Sequence, residues 1–177
     1  MNDLVGMKPA AAFVLTPKDT HYEICKQLLK ANVDVYVEKP GTIKSSELYK
    51  LCEMAKQKQL VFMVGFNRRF APLHIQGQKF VSGLAISSAF FQKTRQSSIN
   101  MDIKDLLLED AVHQIDMLRF YCGEAEVVST VCLTERSQLV NLTSILALEN
   151  VGYAVIAYTL QGGGWSETYP IHAPRNL

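Results

Sequence analysis

Apolar residues in the first seventy positions fall into short blocks, separated by longer stretches where they recur every three or four residues. Residues 10–15 (AAAFVL), 33–37 (VDVYV) and 60–64 (LVFMV) are the blocks, each of a length that suits a buried strand. Between the first two, Ile24, Cys25, Leu28 and Leu29 repeat at helical spacing. Between the second and third, Leu48, Leu51, Cys52 and Ala55 do the same and predict a helix over 45–57. Thr16-Pro17-Lys18-Asp19 is a helix start: a capping threonine, a proline in the first turn and an acid in the capping-box position. Asn32 ends that helix. Strand, helix, strand, helix, strand with short connections is a parallel βαβαβ unit. Ligands bind beyond the carboxyl ends of such strands. Here those ends carry Thr16-Pro17, Glu38-Lys39-Pro40 and Gly65-Phe66-Asn67-Arg68-Arg69.

The pattern then changes. A helix is predicted over 72–81, a strand over 84–92 and a helix over 105–121. Three strand-like runs follow, 126–133, 139–148 and 151–160, separated by Glu135-Arg136-Ser137 and Glu149-Asn150, which reads as an antiparallel meander. The last two runs are apolar on both faces, with Leu142, Leu146 and Leu148 on one and Ile145 and Ala147 on the other. Such a sheet is covered by helices or used for association. Gly162-Gly163-Gly164 is expected in a loop. The division expected is a parallel α/β domain over 1–70 and an α+β domain over 71–177.

Composition narrows the class. The 177 residues are 48% hydrophobic and 20% charged, with a formal net charge of +1. The longest basic run is Arg68-Arg69, which argues against nucleic acid or an anionic membrane as partner. No apolar run reaches about 18 residues and no export signal is visible, so a cytoplasmic protein is expected. The four cysteines form no C-x-x-C; all four are read as small core residues, Cys25 and Cys52 lying on helix stripes. No His/Cys/Asp cluster has ligand spacing, so no metal is expected. The sequon Asn141-Leu142-Thr143 falls inside a predicted strand and is discounted.

Helix 105–121 holds the densest candidate chemistry. At about 100° per residue, Leu108, Val112, Ile115, Leu118 and Cys122 form its buried stripe. Glu109, His113 and Asp116 share another face, within roughly 60° of one another, and Asp110 points away. Two readings stand: a solvated polar face, or carboxylates that orient a proton-transferring histidine. Lys39 reaches solvent beside Glu38, or is pinned by Pro40 at the ligand-binding edge. Arg68 and Arg69 are surface charges or anion contacts. His21 lies near the same edge; His74 and His172 show no partner in the sequence, and Trp165 is read as packing. The chain contains neither G-x-S-x-G nor G-x-G-x-x-G.

Taken together, the motifs resemble the Gfo/Idh/MocA family of glucose–fructose oxidoreductase and inositol 2-dehydrogenase. Thr16-Pro17 with His21 is similar to its T-P-x-x-x-H turn, Glu38-Lys39-Pro40 to its E-K-P signature, GFNRRFAP (65–72) to its G-[FY]-N-x-R-[FY]-x-P segment, and LEDAVHQID (108–116) to its L-D-x-G-x-H-x-x-D helix. The resemblance covers nearly all of 8–161. It implies the C-terminal half of a Rossmann-type parallel sheet, followed by an α+β substrate domain with a mainly antiparallel open sheet. It also implies NAD or NADP as cofactor and a carbohydrate or polyol substrate. Lys39 would hold the substrate hydroxyl, His113 would exchange its proton, Glu109 would stand where the family has an aspartate, and Asp116 would help bind substrate. Thr16, Pro17, His21, Glu38, Lys39, Pro40, Asn67 and Arg68 would line the nicotinamide side. Glu109 in place of Asp and Ala111 in place of Gly depart from the pattern. Against it, the chain would lack the glycine-rich first half of the cofactor domain and part of the substrate sheet, so impaired activity is expected. The open sheet face implies a homo-oligomer; the alternative is a non-catalytic association module or inactive fragment.

Overall fold

The three short apolar blocks form a parallel sheet, β1 (Ala11–Val14), β2 (Asp34–Val37) and β3 (Phe62–Val64), in the order β1-β2-β3. The structure, a computed structural model, describes residues 2–96, 102–136, 138–149 and 152–174. Ser137, Asn150 and Val151, expected in turns and at a strand start, lie outside those residues. The chain divides into two compact units, Met1–Phe66 and Asn67–Leu177.

In the first unit, α2 (His21–Lys30) and α3 (Ser45–Lys58) connect successive strands. The strand order advances the same way at both crossovers, so right-handed connections place both helices on one face. That face carries Ala12, Val14, Val35, Val37, Phe62 and Val64, packed with Cys25, Leu28, Leu29, Leu51 and Ala55. Each fully buried aliphatic side chain there contributes about 1.5–3 kcal/mol. The opposite face carries Phe13, Tyr36 and Met63 in register; Phe13 is 73% exposed and its ring centroid lies 5.3 Å from that of Tyr36. A short helix that the periodicity does not reveal, α1 (Asn2–Gly6), precedes β1. Cys25 is buried as expected, and burial pushes its thiol up to about 12. Cys52 and Cys132 are exposed, which corrects their reading as core residues. Cys52 lies beside Leu51 at the rim of the α3 stripe, and Cys132 lies on a strand that is exposed along most of its length.

In the second unit, α4 (Pro72–Val81) starts on its proline as predicted. The meander is β5 (Ala125–Glu135), β6 (Gln138–Leu148) and β7 (Tyr153–Thr159), antiparallel throughout. β4 (Ser88–Gln96) pairs parallel with β7 and antiparallel with β8 (Gln161–Thr168) and the short β9 (Ile171–His172), giving the path β5-β6-β7-β4-β8. β4 therefore starts and ends four residues later than predicted. Its inward positions continue past Ala89 and Phe91 to the charged Lys93, which a hydrophobic reading excludes. The three glycines lie within β8 rather than in a loop. A Cβ on Gly162 would come within 2.8 Å of the Thr94 Cβ, so the two strands approach closely there.

The predicted helix 105–121 is three pieces: the turn α5 (Ile103–Asp105), a π-helical segment Leu106–Ala111, and α6 (Val112–Cys122). The Asp102 carboxylate caps the first piece, accepting from the Asp105 N–H at 2.7 Å. The π turn advances less per residue than an α turn, so the buried stripe is not the predicted one. Leu106, Asp110, Ala111, Gln114, Met117 and Leu118 face inward, while Ile115 is 38% exposed. Ile115 instead lines an apolar groove of about 380 Å³ with Ile103, Leu107, Val127, Leu142 and Leu146.

Asp110 fixes this arrangement. Its carboxylate accepts from Lys93, Arg95 and Tyr158, all projecting from the sheet. Burial alone would raise its pKa; the three hydrogen bonds outweigh that and hold it at about 2, below its ordinary 3.8. A carboxyl depressed on folding adds stability that is complete above its unfolded pKa and is lost as pH falls through the folded one. The prediction is a loss of unit-two stability between about pH 4 and pH 2. Asp110→Asn should remove that limb in a urea-unfolding series. At pH 7 it should also destabilise by about 3–5 kcal/mol, because Lys93 is left buried without its counter-charge.

Candidate active site

Unit one positions its candidate residues at the carboxyl ends of its strands. His21, the first residue of α2, is 1% exposed. Its Nδ1 lies 2.8 Å from the Pro40 carbonyl and its Nε2 2.8 Å from the Thr16 carbonyl. Both partners accept only, so a neutral ring can donate to one of them and a protonated ring to both. His21 thus ties the turn after β1 to the turn after β2. That tie explains the helix start: a 3-10 turn, Lys18–Thr20, intervenes, and α2 begins only at His21. Thr16 does not cap the backbone; its hydroxyl pairs with that of Thr20 at 2.7 Å, and the Thr20 hydroxyl donates to the Pro17 carbonyl at 2.7 Å. Thr16 and Pro17 are exposed.

After β2, the Lys39–Pro40 peptide is cis, and the Lys39 N–H donates to Glu38 Oε2 at 3.1 Å. Glu38 and Lys39 are half-buried and Pro40 is buried. Gly65, at the end of β3, stands against both groups of the central strand. A Cβ there would lie 2.5 Å from the Tyr36 hydroxyl and 3.3 Å from Glu38 Oε1. Only a bare backbone fits beside the tyrosine.

Unit two begins with the 3-10 turn Asn67–Phe70. Asn67 is exposed, whereas Arg68 is engaged within the unit: it pairs with Glu167 and donates to the Tyr169 hydroxyl at 2.9 Å. Glu167 also accepts from Gln114 and, at 2.6 Å, from Tyr169. Burial first, and then Glu167, raises the Tyr169 phenol. His74 Nδ1 meets the Tyr121 hydroxyl at 2.8 Å, and burial followed by the Arg68 charge lowers its pKa. Arg69 donates through Nε to both Asp116 oxygens, at 2.8 and 2.9 Å, and lies over the Phe120 ring at 5.4 Å. Asp116 is therefore spent largely on Arg69. Glu109 stands in the π segment and His113 in the first turn of α6, both half-buried. Their four-residue separation spans the change of winding, so they are not an ordinary α-helical pair.

Sequence reasoning overlooked Asp110, Lys93, Arg95, Glu167 and Tyr169. One signal was present: continuing the period-two pattern of β4 inward from Phe91 reaches Lys93 and Arg95. A charged residue at an inward strand position calls for a buried counter-ion.

Residues 1–66 match the model of the oxidoreductase family with an NAD-binding Rossmann fold, Gfo/Idh/MocA. The putative oxidoreductase YceM of Salmonella typhimurium is 36% identical over 129 residues, which cover 72% of this chain and 41% of that protein. Inositol 2-dehydrogenase of Rhizobium meliloti is 24% identical over 127 residues, 68% of this chain and 38% of that one. The crystal structure of a dehydrogenase (MviM) from Clostridium difficile superposes with a TM-score of 0.84 at 28% identity, covering 93% of this chain and 54% of that one. The chain spans about half the length, or less, of these relatives. The matched model, these relatives and the fold agree: the chain belongs to the Gfo/Idh/MocA family of oxidoreductases.

Proposed function

We propose that the chain carries the reacting groups of an NAD(P)-dependent oxidoreductase that oxidises a sugar or polyol hydroxyl, or reduces the matching carbonyl. The observation that carries this reading is the placement of Lys39. It stands at the carboxyl end of the central strand, on a turn that His21 holds to its neighbour. The exposed Thr16-Pro17 turn and the side-chain-free Gly65 fit the nicotinamide end of a dinucleotide, where flat rings need close approach to backbone. When bound, the nicotinamide supplies the hydride donor or acceptor. Lys39 donates a hydrogen bond to the substrate oxygen. His113 removes the hydroxyl proton on oxidation and returns it on reduction, and Glu109 orients the imidazole. Asp116 acts through Arg69, which it holds in place. NAD and NADP both suit this reading. Among the described residues all four thiols are unpaired, which supports a reducing cytoplasm. No helix among them is long and apolar enough to cross a membrane.

A second reading, association, is supported by the sheet of unit two. The face turned away from α6 carries Val131, Leu133, Ile145 and Tyr153, each 43–57% exposed. We propose that a second copy of the chain covers it.

Three outcomes are expected. NADH or NADPH should raise the melting temperature of the 177-residue chain in proportion to ln(1 + [L]/Kd); no shift at millimolar cofactor would favour association alone. In a polyol-dependent NADH-formation assay, His113→Asn should lower kcat by about 10²–10⁴, and Lys39→Ala should lower kcat/KM without unfolding the chain. Sedimentation equilibrium should show a dimer or larger species, which Val131→Lys converts towards monomer.

A further inference from the structure

Trp165 is the chain's single tryptophan and is 72% exposed, on the edge strand β8. It was expected to pack. Instead one side of its ring meets a charge: the Lys93 Nζ lies 6.0 Å from the indole centroid and 5.8 Å from that of Tyr158. Lys93 is itself buried, on Asp110. The indole therefore roofs the buried cluster, and its other side is open. The three residues before it are glycines, so no side chain stands on the strand for that length. β8 pairs Glu167 with Lys93 and Ser166 with Thr94, so Arg95 and Trp165 are the next residues along each strand, at the point where the register shifts. Arg95 gives one guanidinium nitrogen to Asp110, and its side chain is 28% exposed.

We propose that Trp165 and Arg95 form a subsite for a sugar or cyclitol ring that bears a carboxylate. This rests on the sugar or polyol reading above and narrows it. The C–H face of such a ring is weakly positive and packs on the electron-rich indole face. Arg95 presents a planar fork that matches a carboxylate. The directly bonded cluster comprises two cations, Lys93 and Arg95, and one carboxylate, Asp110. Its single surplus positive charge matches one carboxylate better than a phosphate monoester, which carries about −1.5 to −2. π segments recur at functional sites, and here the segment supplies the group that fixes both cations.

Because Trp165 is the only indole, its fluorescence reports the subsite directly. Titration of the 177-residue chain with D-glucuronate should give a saturable change, half-maximal at a concentration at least fivefold lower than for D-glucose or myo-inositol. Arg95→Gln should erase that difference. Should this variant fold poorly by circular dichroism, Arg95→Lys keeps a charge for Asp110, loses the fork, and should still reduce the preference severalfold. Trp165→Leu, at an exposed position, should abolish the heat of glucuronate binding in calorimetry. Equal responses to all three ligands would overturn the acid selectivity. Tighter binding of glucose 6-phosphate than of glucuronate would overturn the carboxylate assignment. No response to any ligand, or glucuronate heat unchanged in Trp165→Leu, would overturn the subsite. NADH-dependent melting on the same preparation reads the oxidoreductase proposal independently: a cofactor shift without a sugar response rejects the subsite alone.

Discussion

One buried carboxylate sets the geometry of the second unit. Lys93 and Arg95 project from β4 onto the side of the sheet that the helix covers, where an unpaired cation is costly. Among the described residues Asp110 answers both, and the Tyr158 hydroxyl donates to the same carboxylate. The chain delivers it by winding residues 106–111 as a π segment, a form rare enough to need a local cause. Everything downstream takes its angular setting from that segment. Gln114, Met117 and Leu118 turn inward, and Ile115 turns out to the groove. His113 takes its setting from the same anchor, so the electrostatics of the sheet and the placement of the proposed base are one constraint.

Much of the fold was readable because it obeys simple periods. The blocks at 10–15, 33–37 and 60–64 became strands within two residues of their predicted ends, and Pro72 marked a helix start. The position of the candidate groups was readable for a topological reason: Lys39 and Thr16-Pro17 lie where parallel strands end. What escaped has a physical cause in each case. The π segment escaped because a test at 100° per residue assumes the winding it seeks to detect. Lys93 escaped because hydropathy treats a charge as the end of a buried strand, although a paired charge is not. Gly162–Gly164 looked like a loop because glycine disfavours strands; in β8 it admits a close neighbour. His21 was placed near the edge, but its two carbonyl partners, nineteen and five residues away in sequence, could be seen only in three dimensions.

The two units solve burial differently. The first stacks two helices on one side of three strands and leaves Phe13 and Tyr36 on the other. The second has a helix on one face of a mixed sheet and an apolar open face on the other. In both, a polar residue ties separate elements together: buried His21 joins two turns in the first, and in the second buried Asp110 and half-buried Glu167 join the helical segment to the sheet.

The pairing of β4 also dictates an order of events during synthesis. In the first unit each strand meets its neighbour after one short crossover, so contacts are local and can form as the chain emerges. Among the described residues, β4 pairs with no strand adjacent to it in sequence. Its parallel partner begins at Tyr153 and its other neighbour at Gln161. Until those residues leave the ribosome, Phe91 and the cations of β4 have no sheet to enter. The sheet of the second unit therefore cannot be completed until β7 and β8 have emerged, whereas the pairing of the first needs no residue beyond Val64.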